Sequence, residues 1–380
     1  MSATTIEWTE QTWNPVVGCQ YVHEGCRNCY AATMTRRLEA MGQKDYVGLT
    51  TANHFNGKVR CLPDRLDIPL RRRKPTEYFV NSMSDLFHPD VPFEFIDRVF
   101  AVMALTPRHR YMVLTKRAGR MREYFSWHDP ALPIGRTDRP DLICHAAGKR
   151  WGIDLMDWPL QNVALGVSVS DQETADALIP DLLATPARWR FVSYEPALGD
   201  VNFIRALSEA AEDCIWSEAH QWGGECELCG GEGVREYNDA PEEWGEDCPS
   251  EVNHLIPCRG CAELELDKRI RVASKAGLHG IIFGGESGPG ARPCNVAWAR
   301  STREQCKAAG VDFFCKQLGS KPYESAADGP AVRAWGDARI QINGEFVQIH
   351  LRDRKGGDEA AWPEDLRRCR RLPWREGRDV

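Results

Sequence analysis

The sequence predicts an α/β protein built on a parallel sheet, with a full or partial (β/α) barrel ranked ahead of a doubly wound arrangement. Three observations predict it. Short apolar runs alternate with amphipathic, helix-like stretches along most of the chain. The runs are rich in Val, Ile, Phe and Tyr, as suits strands covered on both faces. Each run is followed closely by a charged, hydroxyl or thiol residue. In a barrel those strand ends converge above the packed interior, where function sits.

The strand-like runs cover 12–18, 77–82, 110–115, 162–169, 189–193, 280–283 and 311–315. Amphipathic stretches at 91–105, 172–184 and 295–309 supply helices between them. The first polar groups beyond the runs are Cys19, Asp85, Lys116, Ser168 or Ser170, Glu195, Glu286 and Lys316. Gly284, Gly285, Gly288 and Gly290 surround Glu286 and let backbone N–H groups approach a ligand closely. Two segments break the alternation: 126–160, rich in Pro, Gly, Asp and Trp, and 204–268, acidic and rich in Gly and Cys. The expected organisation is therefore a barrel over 1–203 and 269–320, an inserted module over 204–268, and a C-terminal extension over 321–380. That extension carries short strands near 338–351 and an Arg-rich tail.

Composition excludes several classes. With 42% apolar and 27% charged residues in 380, the chain is that of a globular protein, not a disordered one. No run approaches 18 apolar residues, so no membrane-spanning helix is expected. The segment MSATTIEWTEQTW has neither a basic nor an apolar leader region, so a cytoplasmic location is predicted. There, 15 cysteines read as metal or cluster ligands or buried thiols rather than a disulfide framework. The net charge of −7 conceals an asymmetry. Residues 212–265 hold 15 acidic residues against Arg235 and Arg259, whereas the rest of the chain holds 46 basic against 40 acidic. A mildly basic body leaves a polyanionic partner open. The run Arg71–Lys74 and the tail arginines Arg367, Arg368, Arg370 and Arg371 read first as solvated faces and second as phosphate contacts. Trp8 and Trp13 read as packing residues.

Cys19, Cys26 and Cys29 form a C-x6-C-x2-C set directly after the first run. Three thiolates on one loop can hold three irons of a [4Fe–4S] cluster and leave the fourth iron open. Zinc would want a fourth protein ligand, which His23 could supply. In the acidic insertion, Cys226-x2-Cys229 and Cys258-x2-Cys261 have the spacing of a four-cysteine zinc site of ribbon type. An insertion so poor in apolar residues would use the metal in place of a core. Cys214, Cys248 and His254 are inferior alternates, and the module reads as a lid, a partner-docking surface or a clamp. Cys61, Cys144, Cys294, Cys306, Cys315 and Cys369 are expected to be ordinary buried thiols.

The segment Asn14-Pro15-x-x-Gly18-Cys19, continued by Gly25-Cys26-x-x-Cys29-Tyr30-Ala31, resembles the cluster loop of radical S-adenosylmethionine (SAM) enzymes, in the branch of spore photoproduct lyase. Asn81–Phe87 (NSMSDLF) resembles that branch's second-strand motif, and Val113–Arg117 (VLTKR) its Thr-Lys motif. The chain also resembles a family of phage- and prophage-borne proteins with a three-Cys motif. That likeness rests on Phe191–Pro196 (FVSYEP), Gly284–Pro293 (GGESGPGARP) and Phe313–Gln317 (FFCKQ). The pattern departs from most radical SAM enzymes, whose cysteines are spaced C-x3-C-x2-C with an aromatic before the last; here Asn28 precedes Cys29.

The resemblance implies an incomplete (β/α) barrel, a [4Fe–4S] cluster on Cys19, Cys26 and Cys29, and SAM as cosubstrate. Ser82, Ser84, Asp85 and Ser168 would then bind the cofactor, the first three at the SAM amino group. Glu195 and Glu286 would meet the ribose hydroxyls or the substrate, and Lys116 and Lys316 the SAM carboxylate or an anionic substrate. It further implies a nucleic acid base or nucleotide as substrate, in phage DNA modification or repair, and a dedicated partner protein. Two other readings stay open: a non-catalytic nucleic-acid-binding protein with two structural zinc sites, and a divalent-metal hydrolase using Asp85, Glu195 and Glu286.

Overall fold

The structure is a computed structural model. It describes residues 6–126, 139–147, 158–204, 277–325, 339–343, 346–351, 353–370 and 372–375. The expected four-cysteine module, with Cys226, Cys229, Cys258 and Cys261, lies outside the described residues, as does most of the 126–160 interruption.

Seven strands form one curled, wholly parallel sheet: β1 (Gln11–Trp13), β2 (Glu77–Val80), β3 (Arg110–Thr115), β4 (Val163–Val169), β5 (Trp189–Tyr194), β6 (Gly280–Gly284) and β7 (Asp312–Gln317). Their spatial order is their sequence order. A doubly wound sheet would reverse direction at a switch point. This one never does, which is the connectivity of a (β/α) barrel. Among the described residues β7 does not pair with β1, so the barrel stays open. The helices that cover it include α1 (Tyr30–Ala40), α2 (Phe93–Ala104), α3 (Ala118–Ser126), α4 (Gln172–Ala184) and α5 (Val296–Ala309). Their ends follow from local chemistry. Asp171 and Thr174 make a reciprocal capping box at α4, and Asn295 caps α5, which stops at Gly310 with φ +68°. No described helix is long and apolar enough to cross a membrane.

Strand alternation separates two cores. The outward file, with Tyr78, Val113, Leu165, Val192, Phe283 and Phe313, packs under the helices. The inward file supplies Phe79, Met112, Ala164, Phe191, Ile282 and Phe314, one from each of six strands, which pack with Trp8, Leu372 and Trp374. Where β4 meets β5, a Cβ on Gly166 would stand 2.5 Å from the Phe191 ring, so only glycine leaves room for this filling. The same inward file, followed toward the C-terminal ends, becomes polar at Lys116, Ser168, Ser193, Glu195 and Lys316. An apolar floor and a polar mouth thus come from one alternation.

The C-terminal extension is built into this body. Pro322–Ser325 pairs with Cys294–Asn295 and with Phe346–His350, which pairs in turn with Arg339–Asn343. Leu372 and Trp374 close the barrel floor. The solvated-face reading of the tail is corrected for Arg370. Its guanidinium pairs with Glu7 at 3.1 Å and Glu359 at 2.5 Å and lies over the rings of Phe314 and Trp362.

Candidate functional site

The excursion between β1 and β2 carries the cysteines to the mouth. Val16–Val17 pairs with Arg60–Cys61, and Val17, Ala31, Tyr46, Leu49 and Met83 form a small core against which Cys29 packs. Cys19, Cys26 and Cys29 are all free thiols of intermediate exposure. Cys29 is the N-cap of α1. Burial raises its thiol, while the amides of Ala32 and Ala31 pull the other way, the usual effect of a helix N-terminus on a thiolate. Cys26 and Lys116 also act on it electrostatically. The Cys19 thiol is pushed up to about 12, by burial first and by Asp85 second, with Arg117 opposing. Among the described residues no group of three or more His, Cys, Asp or Glu side chains is gathered to hold a metal ion as it stands.

His23 caps the short 3₁₀ turn Glu24–Cys26, its Nδ1 accepting the Gly25 N–H at 3.1 Å. That contact puts the ring proton of the neutral form on Nε2. Gly25 lets the ring lie close, since a Cβ there would meet Ser170 Oγ at 2.3 Å and His23 Cε1 at 2.8 Å. Burial, then the nearby Lys116 charge, lowers His23 from 6.5 to about 4. A group depressed in the folded state binds its proton more readily when unfolded. Stability should therefore be full above about pH 6.5 and fall as the pH drops toward 4, by about 1–2 kcal/mol for a partly exposed ring. In His23→Asn, which keeps a capping acceptor, urea unfolding between pH 7 and 4 should lack that decrement.

Asp85 reaches the mouth but is fully engaged. Its Oδ1 accepts from the Phe87 amide (3.0 Å) and Thr115 Oγ1 (2.7 Å). Its Oδ2 accepts from the Lys116 amide (3.1 Å) and Arg117 Nη1 (2.8 Å). Ser82 donates to Asn14 Oδ1 at 3.1 Å, and Ser84 to the Val16 carbonyl at 2.8 Å. Both serines stitch the second-strand loop to the segment leading into the cysteines. Tyr30 adds a third stitch, its hydroxyl donating to the Ser82 carbonyl at 2.7 Å.

The inward rim holds the other predicted residues together. Lys116 Nζ donates to Ser168 Oγ, Ser168 Oγ donates to the Glu195 carbonyl at 3.1 Å, and Lys316 Nζ pairs with Glu195 Oε1. Glu195 lies against Gly284, where a Cβ would sit 2.9 Å from its Cδ. Among the described residues Lys116 makes no ion pair with a carboxylate, so it presents a net positive charge between Ser168, His23 and Cys29.

Glu286, in the glycine-rich loop after β6, binds across the mouth. Arg292 reaches it through Nε (2.9 Å to Oε2), Nη2 (2.7 Å to Oε1) and its own amide (2.8 Å), and Asn28 Nδ2 donates to Oε2 at 3.0 Å. Arg292 Nη1 also donates to the Glu24 carbonyl at 3.1 Å. Burial works to raise the Glu286 carboxyl, but these donors outweigh it and hold the group below its ordinary range. Asn28 and Arg292 are site residues that sequence reasoning passed over, as is Arg117. Asn28 stood out only as the residue displacing the expected aromatic.

Among solved structures, a Cys-to-Ser mutant of spore photoproduct lyase is 8% identical, with 93% of this chain and 72% of that one covered and a TM-score of 0.33. A Tyr-to-Phe mutant of the same enzyme is 7% identical, with 92% and 71% covered and a TM-score of 0.33. Spore photoproduct lyase complexed with dinucleoside spore photoproduct is 8% identical, with the same coverage and a TM-score of 0.32. None of the curated proteins matches the chain. Residues 3–356 match the family described as "Protein of unknown function (DUF5131)", and the chain belongs to that family.

Proposed function

We propose that this chain is a radical SAM enzyme whose [4Fe–4S] cluster is bound by Cys19, Cys26 and Cys29, with a nucleic acid base or nucleotide as its substrate. The observation that carries the reading is the placement of three free thiols on one loop beside the polar rim of a parallel half-barrel. The donor set fits such a cluster. A cluster gives each thiolate its own iron. His23 is a poor fourth ligand, because its Nδ1 is spent on Gly25 and its Nε2 then bears the proton. Positive charge for the thiolates is at hand: Arg117 Nη1 lies 3.9 Å from Cys19 Sγ, and Lys116 acts electrostatically on Cys29.

When bound, the cluster would supply the electron that splits SAM into methionine and a 5′-deoxyadenosyl radical. The protein's own groups would position and shield. Lys116, without a carboxylate partner among the described residues, would take an anionic group, either the SAM carboxylate or a substrate phosphate. Glu195 is neutralised by Lys316, so the pair would offer hydrogen bonds to hydroxyls without a net charge. Ser168 joins the two and would fix their spacing. Asp85, Ser82, Ser84 and Glu286 would hold the walls that carry the cysteines, a supporting part rather than direct contact with SAM. The inward apolar floor would keep water from below. The four-cysteine module would hold Zn²⁺. The metal-hydrolase alternative has less support, since Asp85, Glu195 and Glu286 each already carry a cationic partner: Arg117, Lys316 and Arg292.

The test is anaerobic reconstitution of the full chain, followed by SAM and dithionite. A brown protein with about four irons per chain that releases 5′-deoxyadenosine is expected. Ala at Cys19, Cys26 or Cys29 should abolish both iron and product. A colourless protein holding only zinc, with no nucleoside released, overturns the reading.

A further inference from the structure

The Thr115-Lys116-Arg117 turn at the end of β3 sends its two cations to different places. Lys116 points into the barrel; Arg117 points to the segment leading out of β1. Arg117 is 11% exposed at its side chain and bridges three groups. Nη1 lies 2.8 Å from Asp85 Oδ2 and 3.9 Å from Cys19 Sγ, and Nη2 lies 3.5 Å from the Gln20 carbonyl. Asp85 is itself pinned by three further donors from Phe87, Thr115 and Lys116. The guanidinium therefore has one fixed side, and its remaining N–H groups are aimed at the sulfur and at the next peptide.

We infer that Arg117 is a positioning residue for the metal centre: anchored by Asp85, it donates to the Cys19 sulfur and sets the electron affinity of whatever that sulfur binds. This rests on the cluster reading above. A hydrogen bond and a positive charge at a ligand sulfur favour the reduced, more negative form of a cluster, and such outer contacts tune it strongly. The planar fork lets Nη1 hold Asp85 and face the sulfur while Nη2 meets the Gln20 carbonyl, a three-point contact that an ammonium on a flexible stem makes poorly.

The experiment compares wild type, Arg117→Met and Arg117→Lys after anaerobic reconstitution of the full chain. Iron content and folding by circular dichroism are measured first, and then a potentiometric titration is followed by EPR. Wild type without iron defeats the cluster reading itself, before Arg117 enters. With iron present in wild type, Arg117→Met is expected to become at least tenfold harder to reduce, equivalent to about 59 mV for one electron, at unchanged iron stoichiometry. Arg117→Lys should lie between the two. If Arg117→Met does not fold, Arg117→Lys carries the test alone. A reduction equilibrium within twofold of wild type in the folded variants overturns the inference, because a merely structural arginine would leave the potential where it was.

Discussion

Arg292→Met is expected to cost about 3 kcal/mol of stability and to loosen the cysteine loop. The estimate follows from what the substitution leaves behind. Glu286 is 6% exposed at its side chain and takes two side-chain hydrogen bonds from Arg292. Removing one partner of a buried pair strands the other charge in a poor dielectric, which typically costs 3–5 kcal/mol. The partly exposed guanidinium and the surviving donors, Asn28 and the residue 292 amide, place this case at the low end. Glu24→Gln is the contrast. That carboxylate also touches Arg292, at 3.4 Å, but it is 51% exposed, where water and salt screen the contact. Urea unfolding should show Arg292→Met to be clearly the less stable of the two variants. Hydrogen exchange should accelerate over 20–29 in Arg292→Met, because the Asn28 and Glu24 contacts join that loop to the glycine-rich loop. A cost below about 1 kcal/mol, or exchange unchanged in the loop, would show that the latch does not hold it.

The parts of this molecule that announced themselves in sequence are those governed by short-range pattern. The strand-like run at 110–115 and the helical stretch at 172–184 have the bounds of β3 and α4, because apolar period and capping residues act within a few positions. The run at 12–18 has the pattern of one strand, but the structure divides it into two short ones, Gln11–Trp13 and Val16–Val17. Pro15 has no N–H to continue the ladder, and the second piece pairs with Arg60–Cys61 instead. Polar residues at strand ends were also legible, since alternation alone brings Lys116, Ser168, Glu195 and Lys316 to one face. What sequence spacing did not reveal is which polar group chooses which. Asp85 and Glu286 looked free to meet a ligand, yet each has a guanidinium, one 32 and one 6 residues away, that satisfies it. Nor did pattern say that the chain's last described turn returns to the barrel floor. Leu372 and Trp374 meet Phe79 and Met112 in one cluster, an association across almost 300 residues with no local signature.

Gly18→Ala should be the most damaging single methyl in the cysteine loop. Two costs fall on the same atom. The residue has φ +88°, in the region that L side chains avoid by about 1–2 kcal/mol. A Cβ built there would stand 2.2 Å from the Lys58 carbonyl oxygen, 3.1 Å from Val59 Cα and 3.2 Å from Leu49 Cδ2. The nearest of these is backbone and cannot swing aside. Nor can residue 18 retreat, because its amide donates to the Met83 carbonyl at 3.3 Å and the Cys19 carbonyl accepts from Gly57 at 3.1 Å. Overpacking of this kind adds about 1–3 kcal/mol, so a total near 3 kcal/mol is expected, with Cys19 displaced from Arg117. Gly48→Ala supplies the internal standard: φ is +70°, but nothing lies within 4 Å of its added Cβ. It should lose only the dihedral cost. Equal unfolding midpoints for the two variants would mean that the excursion holding the cysteines yields easily, and that Cys19 owes its place to something other than this packed turn.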